Sequence, residues 1–315
     1  TGSSSRSPAG TPSQTISRLA AAPVYQAASP GGRISITALN GALLEGELRA
    51  HAGEPAVAGG TLTVALARHD QLGSSSSGQT FGWSRAEAVH ITLQPEQTRL
   101  VEQLSLAYGQ SLSALDANIP LSTRLIEAGG FDDLSLSILN TDSGAVPQSA
   151  SILIAAGTNL SLPGQIKINA PVIDMVGNNG AASLSAGYFS WFHLQTTAAA
   201  QLAAGSDSFV FSAQAWAPVA GTNALSIRAA AIDLADAITL SGVRSVTFSA
   251  DGDLRLSGGN IVGVTGQYRL GGALLSKGDI VLRAAQIYPT TMSTFSLVSD
   301  TKVRFEGNGA AASAP

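Results

Sequence analysis

Residues 165–175 read Gln-Ile-Lys-Ile-Asn-Ala-Pro-Val-Ile-Asp-Met, and the fold turns on this stretch. Ile166-Lys167-Ile168 alternates apolar, charged, apolar. In an extended chain that period of two sends both isoleucines to one side and the lysine to the other. The chain then turns near Ala170-Pro171, and Val172 to Met175 begins again. The segment is two short strands joined by a corner. The same triplet returns as Leu254-Arg255-Leu256 and Val303-Arg304-Phe305. Triplets recur mostly at intervals of roughly six to fourteen residues, so two or three of them fill a unit of about twenty, a period that argues for a solenoid. Three short strands per turn, with Gly or Asn at the corners, describe an all-β chain folded as a right-handed parallel β-helix. An antiparallel β-sandwich is the rival. Its strands are usually longer and its core more aromatic than this chain allows, with aromatics at 5%.

The remaining strands follow the same pattern. Arg33 to Leu39 alternates and stops at Asn40-Gly41. Ala42 to Leu48 is expected to be a second strand, and Thr61 to Leu66 and Ala88 to Leu93 further ones. Residues 131–306 carry β coils, with later strands centred on Ile227, Leu234, Leu240, Val246, Leu254, Tyr268, Val281, Phe295 and Val303. Residues 31–94 form coils with a Ser-rich flexible loop near 68–87. Residues 1–30 have linker composition and 307–315 read as a tail.

Residues 95–130 change period. Leu100, Leu104, Tyr108, Leu112, Leu115 and Ile119 step by three or four, a helical face ended by Pro120. Ser122 then suits the N-cap of a short helix through Ala128, closed by Gly129-Gly130. This is the expected helical insertion.

Composition narrows the function. Charged residues are 12% of the chain, about half the usual share. The net charge is −4 and no basic block exists, which argues against a nucleic-acid partner. No apolar run reaches the length of a membrane span. Cysteine is absent, so no disulfide would hinder passage of an unfolded chain through a pore. The opening TGSSSRSPAG lacks the features of a signal peptide, and the chain is expected to be part of something longer.

The segments Gly278 to Leu297 (GDIVLRAAQIYPTTMSTFSL), Ile238 to Gly258 (ITLSGVRSVTFSADGDLRLSG), Ile168 to Asp174 and Gly129 to Ser137 resemble the filamentous haemagglutinin family of two-partner secretion exoproteins. The likeness spans residues 31–305 and is strongest from residue 131. It implies a Gram-negative exoprotein exported through an outer-membrane transporter and displayed at the cell surface or secreted. It implies a β-helical shaft acting in attachment or biofilm formation and no catalytic residues. Expected partners are host-cell or matrix glycans and proteins, or biofilm polysaccharide. The amino-terminal secretion domain of that family is not evident in these residues. Two alternatives stand beside this reading: a polysaccharide-degrading β-helix enzyme, and the carrier shaft of a contact-dependent toxin.

The candidate chemistry is sparse. His51, His69, His90 and His193 show no metal-ligand spacing. Asp132-Asp133 and Asp251-Gly252-Asp253 are the carboxylate pairs to weigh as acids for sugar cleavage, although DGD is also a turn sequence. Neither a metal nor a cofactor is expected. Asn159, Asn169, Asn178, Asn179, Asn223 and Asn260 suit corners and stacked amides. The aromatic cluster Tyr188, Phe189, Trp191 and Phe192 stands out. Tyr188, Trp191 and Trp216 are the candidate glycan or protein contacts, with core packing as the competing role.

Overall fold

The computed structural model describes residues 29–38, 41–54, 56–68, 73–74, 80–81, 89–96, 117–140, 150–193, 217–262 and 269–310. Strands dominate. In chain order they are β1 (Arg33–Ala38), β2 (Gly60–Arg68), β3 (Gly73–Ser74), β4 (Thr80–Phe81), β5 (Val89–Gln94) and β6 (Asn118–Ser122). Helix α1 (Thr123–Ala128) follows, then β7 (Phe131–Asn140), β8 (Ala150–Ala155), β9 (Asn159–Asn169), β10 (Val172–Val176) and β11 (Ala181–Phe192). The later strands are β12 (Ala220–Ala235), β13 (Ala237–Ser241), β14 (Val243–Ala250), β15 (Asp253–Ser257), β16 (Asn260–Val262) and β17 (Arg269–Ser276). The last four are β18 (Asp279–Ala284), β19 (Gln286–Pro289), β20 (Ser293–Ser299) and β21 (Val303–Gly307).

Eleven strands form one sheet, in which β1-β2-β7-β9-β11-β12-β14-β18-β21 is the main path, β15 pairs with β12 and β19 with β15. Eight form a second, ordered β16-β17-β13-β10-β8-β5-β6, with β20 on β17. Among the described residues the antiparallel pairs are β16 with β17 and the small β3 with β4; every other pairing is parallel. An antiparallel sandwich is thereby excluded.

Register explains the core. The long strands β9, β11 and β12 each pair over two segments, and β9 and β11 shift register between Ala186 and Tyr188. On the first segment Leu160, Leu184, Ile227, Phe248, Leu282 and Phe305 lie in one row. On the second, Leu62, Leu134, Ile166, Phe189, Ile232, Leu254 and Ile287 do the same. The eight-stranded sheet contributes Ile91, Ile152, Ile173 and Leu240. Apart from Phe305 and Ile287, on the outermost strands, these residues are essentially inaccessible and belong to one core. Alternation sends the apolar residue of each triplet inward and the Ser, Lys, Asp or Arg between them outward, as Ile166-Lys167-Ile168 requires.

Near Ser122 the outcome is mixed. Ser122 caps α1 by accepting a hydrogen bond from Leu125 N at 3.3 Å, and Gly129 ends the helix. Gly130 has φ +71°, the left-handed region that glycine tolerates. Ile119, however, is not helical. It lies in β6, where it pairs in register with Ile91 while Leu121 pairs with Leu93. Tertiary pairing overrode the four-residue spacing, and Pro120 is tolerated because β6 ends its sheet. The rest of the proposed helical stripe, Leu100 to Leu115, lies outside the described residues. A second correction concerns Ala42 to Leu48. It forms no strand; Gly41 alone makes an isolated bridge to Asn118, and Leu44 and Leu48 pack on the core as irregular chain. Most of the linker 1–30, most of the loop 68–87, Tyr268 and residues 311–315 also lie outside the described residues.

Helix α1 covers an open edge. Glu127 Oε1 accepts a hydrogen bond from Ser161 N of β9 at 2.7 Å, which satisfies a strand donor that would otherwise face solvent unpaired.

Candidate functional site

The outward face of the second pairing segment carries a continuous polar row. Lys167, Ser190, Asp233, Arg255 and Tyr288 follow one another across β9, β11, β12, β15 and β19. Each is the outward residue of its strand, so stacking strands stacks these side chains. Asp233 is the hub. Arg255 donates to it through Nε at 2.6 Å and Nη2 at 2.5 Å, a two-pronged charge-assisted contact. Tyr188, two residues before Ser190 on the same face, donates its hydroxyl to Asp233 Oδ2 at 2.5 Å. Tyr288 donates to Asp253 Oδ2 at 3.0 Å.

The electrostatics follow from this arrangement. Burial and the hydrogen bond to Asp233 push the Tyr188 hydroxyl up to about 12. The bond to Asp233 raises Arg255 further above its ordinary value. Both groups therefore keep fixed protonation states through the neutral range. Asp233 has its oxygens occupied and acts as a clamp. Two half-buried tyrosine rings are held beside it on a rigid sheet face. Ser190 Oγ and Asp253 Oδ1 are buried polar atoms of this face with no protein hydrogen-bond partner, and a bound hydroxyl or water would satisfy them.

The three expected contacts separate. Tyr188 is on this face. Trp191 is not: it is 0% exposed and in register with Ile168 and Leu234, and its Nε1 donates to Ala170 O at 2.8 Å. The competing packing role is the one this geometry gives it, because a ring in the core cannot stack on a sugar. Trp216 lies outside the described residues.

The carboxylate pairs are engaged in structure. Asp132 Oδ2 accepts from Gly59 N at 2.6 Å, and Asp133 accepts from Gln165 N at 3.0 Å and from Thr61 Oγ1 at 3.3 Å. Asp251, at the bend between β14 and β15, takes Arg228 at 3.1 Å, whereas Asp253 takes Tyr288. Each acid thus faces its own partner.

The histidines are scattered. His90 Nδ1 lies 2.8 Å from Ser151 Oγ, and burial lowers its pKa. His51 packs on Gly130. His69 lies outside the described residues. His193 is buried, and burial lowers its imidazole to about 4; its backbone N–H donates to Asp236 Oδ2 at 3.2 Å. Asp236 is itself buried with φ +65°, and burial raises it to about 6. Among the described residues no three ligating side chains gather where they could hold a metal ion.

The asparagines secure corners. Asn223 Nδ2 donates to Gly177 O at 2.8 Å and Gly242 O at 3.0 Å, and Asn223 Oδ1 accepts from Gly180 N at 2.9 Å. Asn179 adopts φ +54°.

The Asp233–Arg255 clamp is absent from the contacts expected from sequence. A signal for it exists: Ile232-Asp233-Leu234 and Leu254-Arg255-Leu256 are triplets of one form whose central charges are opposite and 22 residues apart. Comparison with family models, with curated proteins and with solved structures finds no match to this chain.

Proposed function

We propose that the chain is a segment of a secreted or surface-displayed bacterial adhesin of the filamentous haemagglutinin type, with a right-handed parallel β-helical shaft and no enzymatic role. The observation that carries this reading is the interval between stacked side chains. Trp191 reaches Ala170 over 21 residues, Arg255 reaches Asp233 over 22, and Arg283 reaches Glu306 over 23. A chain that returns to its own row every 21 to 23 residues, always parallel, is winding in coils. Parallel connections are overwhelmingly right-handed. A parallel sheet with one solvated face also departs from the α/β pattern, where helices cover both faces, and fits a coil whose inside is the core. The partners of such a shaft are host-cell or matrix glycans and proteins, or biofilm polysaccharide. The Tyr188–Tyr288 face is the described surface suited to them, since tyrosine rings present apolar area at low entropic cost.

Two measurements test the proposal. A density map of the purified chain should show three strips per turn with right-handed winding; a left-handed or open arrangement ends the β-helix reading. Immobilised chain should retain glycans, matrix proteins or whole cells, and lose them on Tyr188→Ala with Tyr288→Ala; no retention of any of these ends the adhesin reading. Release of reducing ends from pectin, alginate or host glycans, abolished by Asp253→Asn, would establish the enzyme alternative instead.

A further inference from the structure

The row Leu160, Leu184, Ile227, Phe248, Leu282 is 0–1% exposed, but its next member, Phe305, is 61% exposed. Phe305 keeps the inward register over Leu282 and has no strand beyond it. Among the described residues β21 pairs with β18 alone, β20 with β17 alone and β19 with β15 alone. This end of the stack therefore presents three strand edges. Beside Phe305 lie Val303, Ile287, Phe295 and Leu297, which pack on the core only in part. Unpaired edges of this kind are templates for another strand.

The outward charges on β21 specify the partner strand. Val303-Arg304-Phe305-Glu306-Gly307 places a cation and an anion at equal distances on either side of Phe305. If a second β21 pairs antiparallel with Phe305 opposite Phe305, each Arg304 faces the other copy's Glu306. Two opposite-charge cross-strand pairs form on one face and the two phenylalanines meet on the other. A two-fold contact requires that self-complementarity. A head-to-tail copy lacks it. The strand at the opposite end of the sheet is β1, which belongs to the row ending at β19 and carries Arg33 with no acid. Arg283, which holds Glu306 through Nε at 3.0 Å, fixes the acid in place on the outer face.

We propose that the β19–β20–β21 end is an interface for a second copy of this chain, docked end to end about a two-fold axis at Phe305. The inference concerns this end alone and stands apart from the adhesin reading. Closure by a two-fold gives a dimer that does not grow further.

Sedimentation velocity over a range of concentrations tests it, with far-UV circular dichroism to verify folding. The wild type is expected to pass from monomer to dimer and stop there. Arg304→Glu sets acid against acid at both contacts and should weaken dimerisation by about tenfold. Glu306→Arg should weaken it similarly by setting base against base. An equimolar mixture of the two variants should restore dimer, because a strand with acids at both positions then faces a strand with bases at both. Phe305→Asp, which removes no fully buried side chain, should abolish the dimer and decides the matter if Glu306→Arg does not fold. A wild type that stays monomeric overturns the proposal. So do variants that dimerise as the wild type does, a mixture that fails to recover, or species that grow beyond dimer.

Discussion

Replacing Trp191 separates a core ring from a contact ring. Its side chain is 0% exposed between Ile168 and Leu234, and its indole N–H satisfies Ala170 O, itself the carbonyl of a 0% exposed residue. Truncation to alanine removes a large buried side chain and leaves a cavity, at a cost of about 3–5 kcal/mol. It also orphans the Ala170 carbonyl, which places Trp191→Ala at the upper end of that range. Trp191→Phe retains much of the ring and loses the hydrogen bond, so about 2 kcal/mol is expected. Guanidinium unfolding followed by circular dichroism at a peptide band measures both, with tryptophan emission as a second probe. Stacked coils need not unfold in one step, so the two probes should be compared before a single free energy is assigned. The reasoning is refuted if Trp191→Ala costs less than about 1 kcal/mol, or if a fully folded Trp191→Ala selectively loses binding on a glycan array.

Four further outcomes follow from the described contacts. Asp236, raised to about 6, favours the folded state below its unfolded value and loses that contribution as pH rises through 6; His193, lowered to about 4, contributes above 6.5 and loses it as pH falls through 4. The two slopes oppose, so wild-type stability should be nearly flat between about pH 4 and 6.5, whereas Asp236→Asn should lose on the order of 2–3 kcal/mol as pH falls across that window in denaturation at graded pH. Tyr188 ionises near 12, so its stabilising hydroxyl bond is fully present below pH 10 and lost as pH rises through about 12; ultraviolet titration of Asp233→Asn should show one tyrosine moved toward the ordinary value. Ser122→Ala removes the cap of α1 and should cost about 1 kcal/mol in urea unfolding. Gly272→Ala would bring a methyl within 2.5 Å of the Phe295 ring and should destabilise by about 1–3 kcal/mol, with partial recovery in Gly272→Ala/Phe295→Leu; no change in unfolding midpoint would contradict the described packing.

The inward rows were legible because alternation is local. Ile166 and Ile168, Leu254 and Leu256 declare their side of the strand without any knowledge of neighbours. Ser122 and Gly130 were legible for the same reason, since a cap is settled within a few residues. Ile119 was not, because its four-step spacing from Leu115 matched a helix while its true partner, Ile91, lies far away in sequence. Ala42 to Leu48 failed similarly: the residues are apolar enough, yet no strand lies beside them to pair. The clamp at Asp233 required knowing that β12 and β15 are neighbours, which is a fact of register. Trp191 shares its parity with Phe189, so the same alternation already set it apart from Tyr188.

Strand β10 pairs directly with β13, although β11 and β12 intervene in the chain. No residue of the stretch joining β11 to β12 separates those two neighbours in their sheet, so its sequence is released from the spacing that governs the column. Foreign peptides could be spliced there and varied in length, provided the two anchor points near His193 and Val219 are kept. The scaffold would then carry cargo at one fixed station along its axis while its own register stayed unaltered.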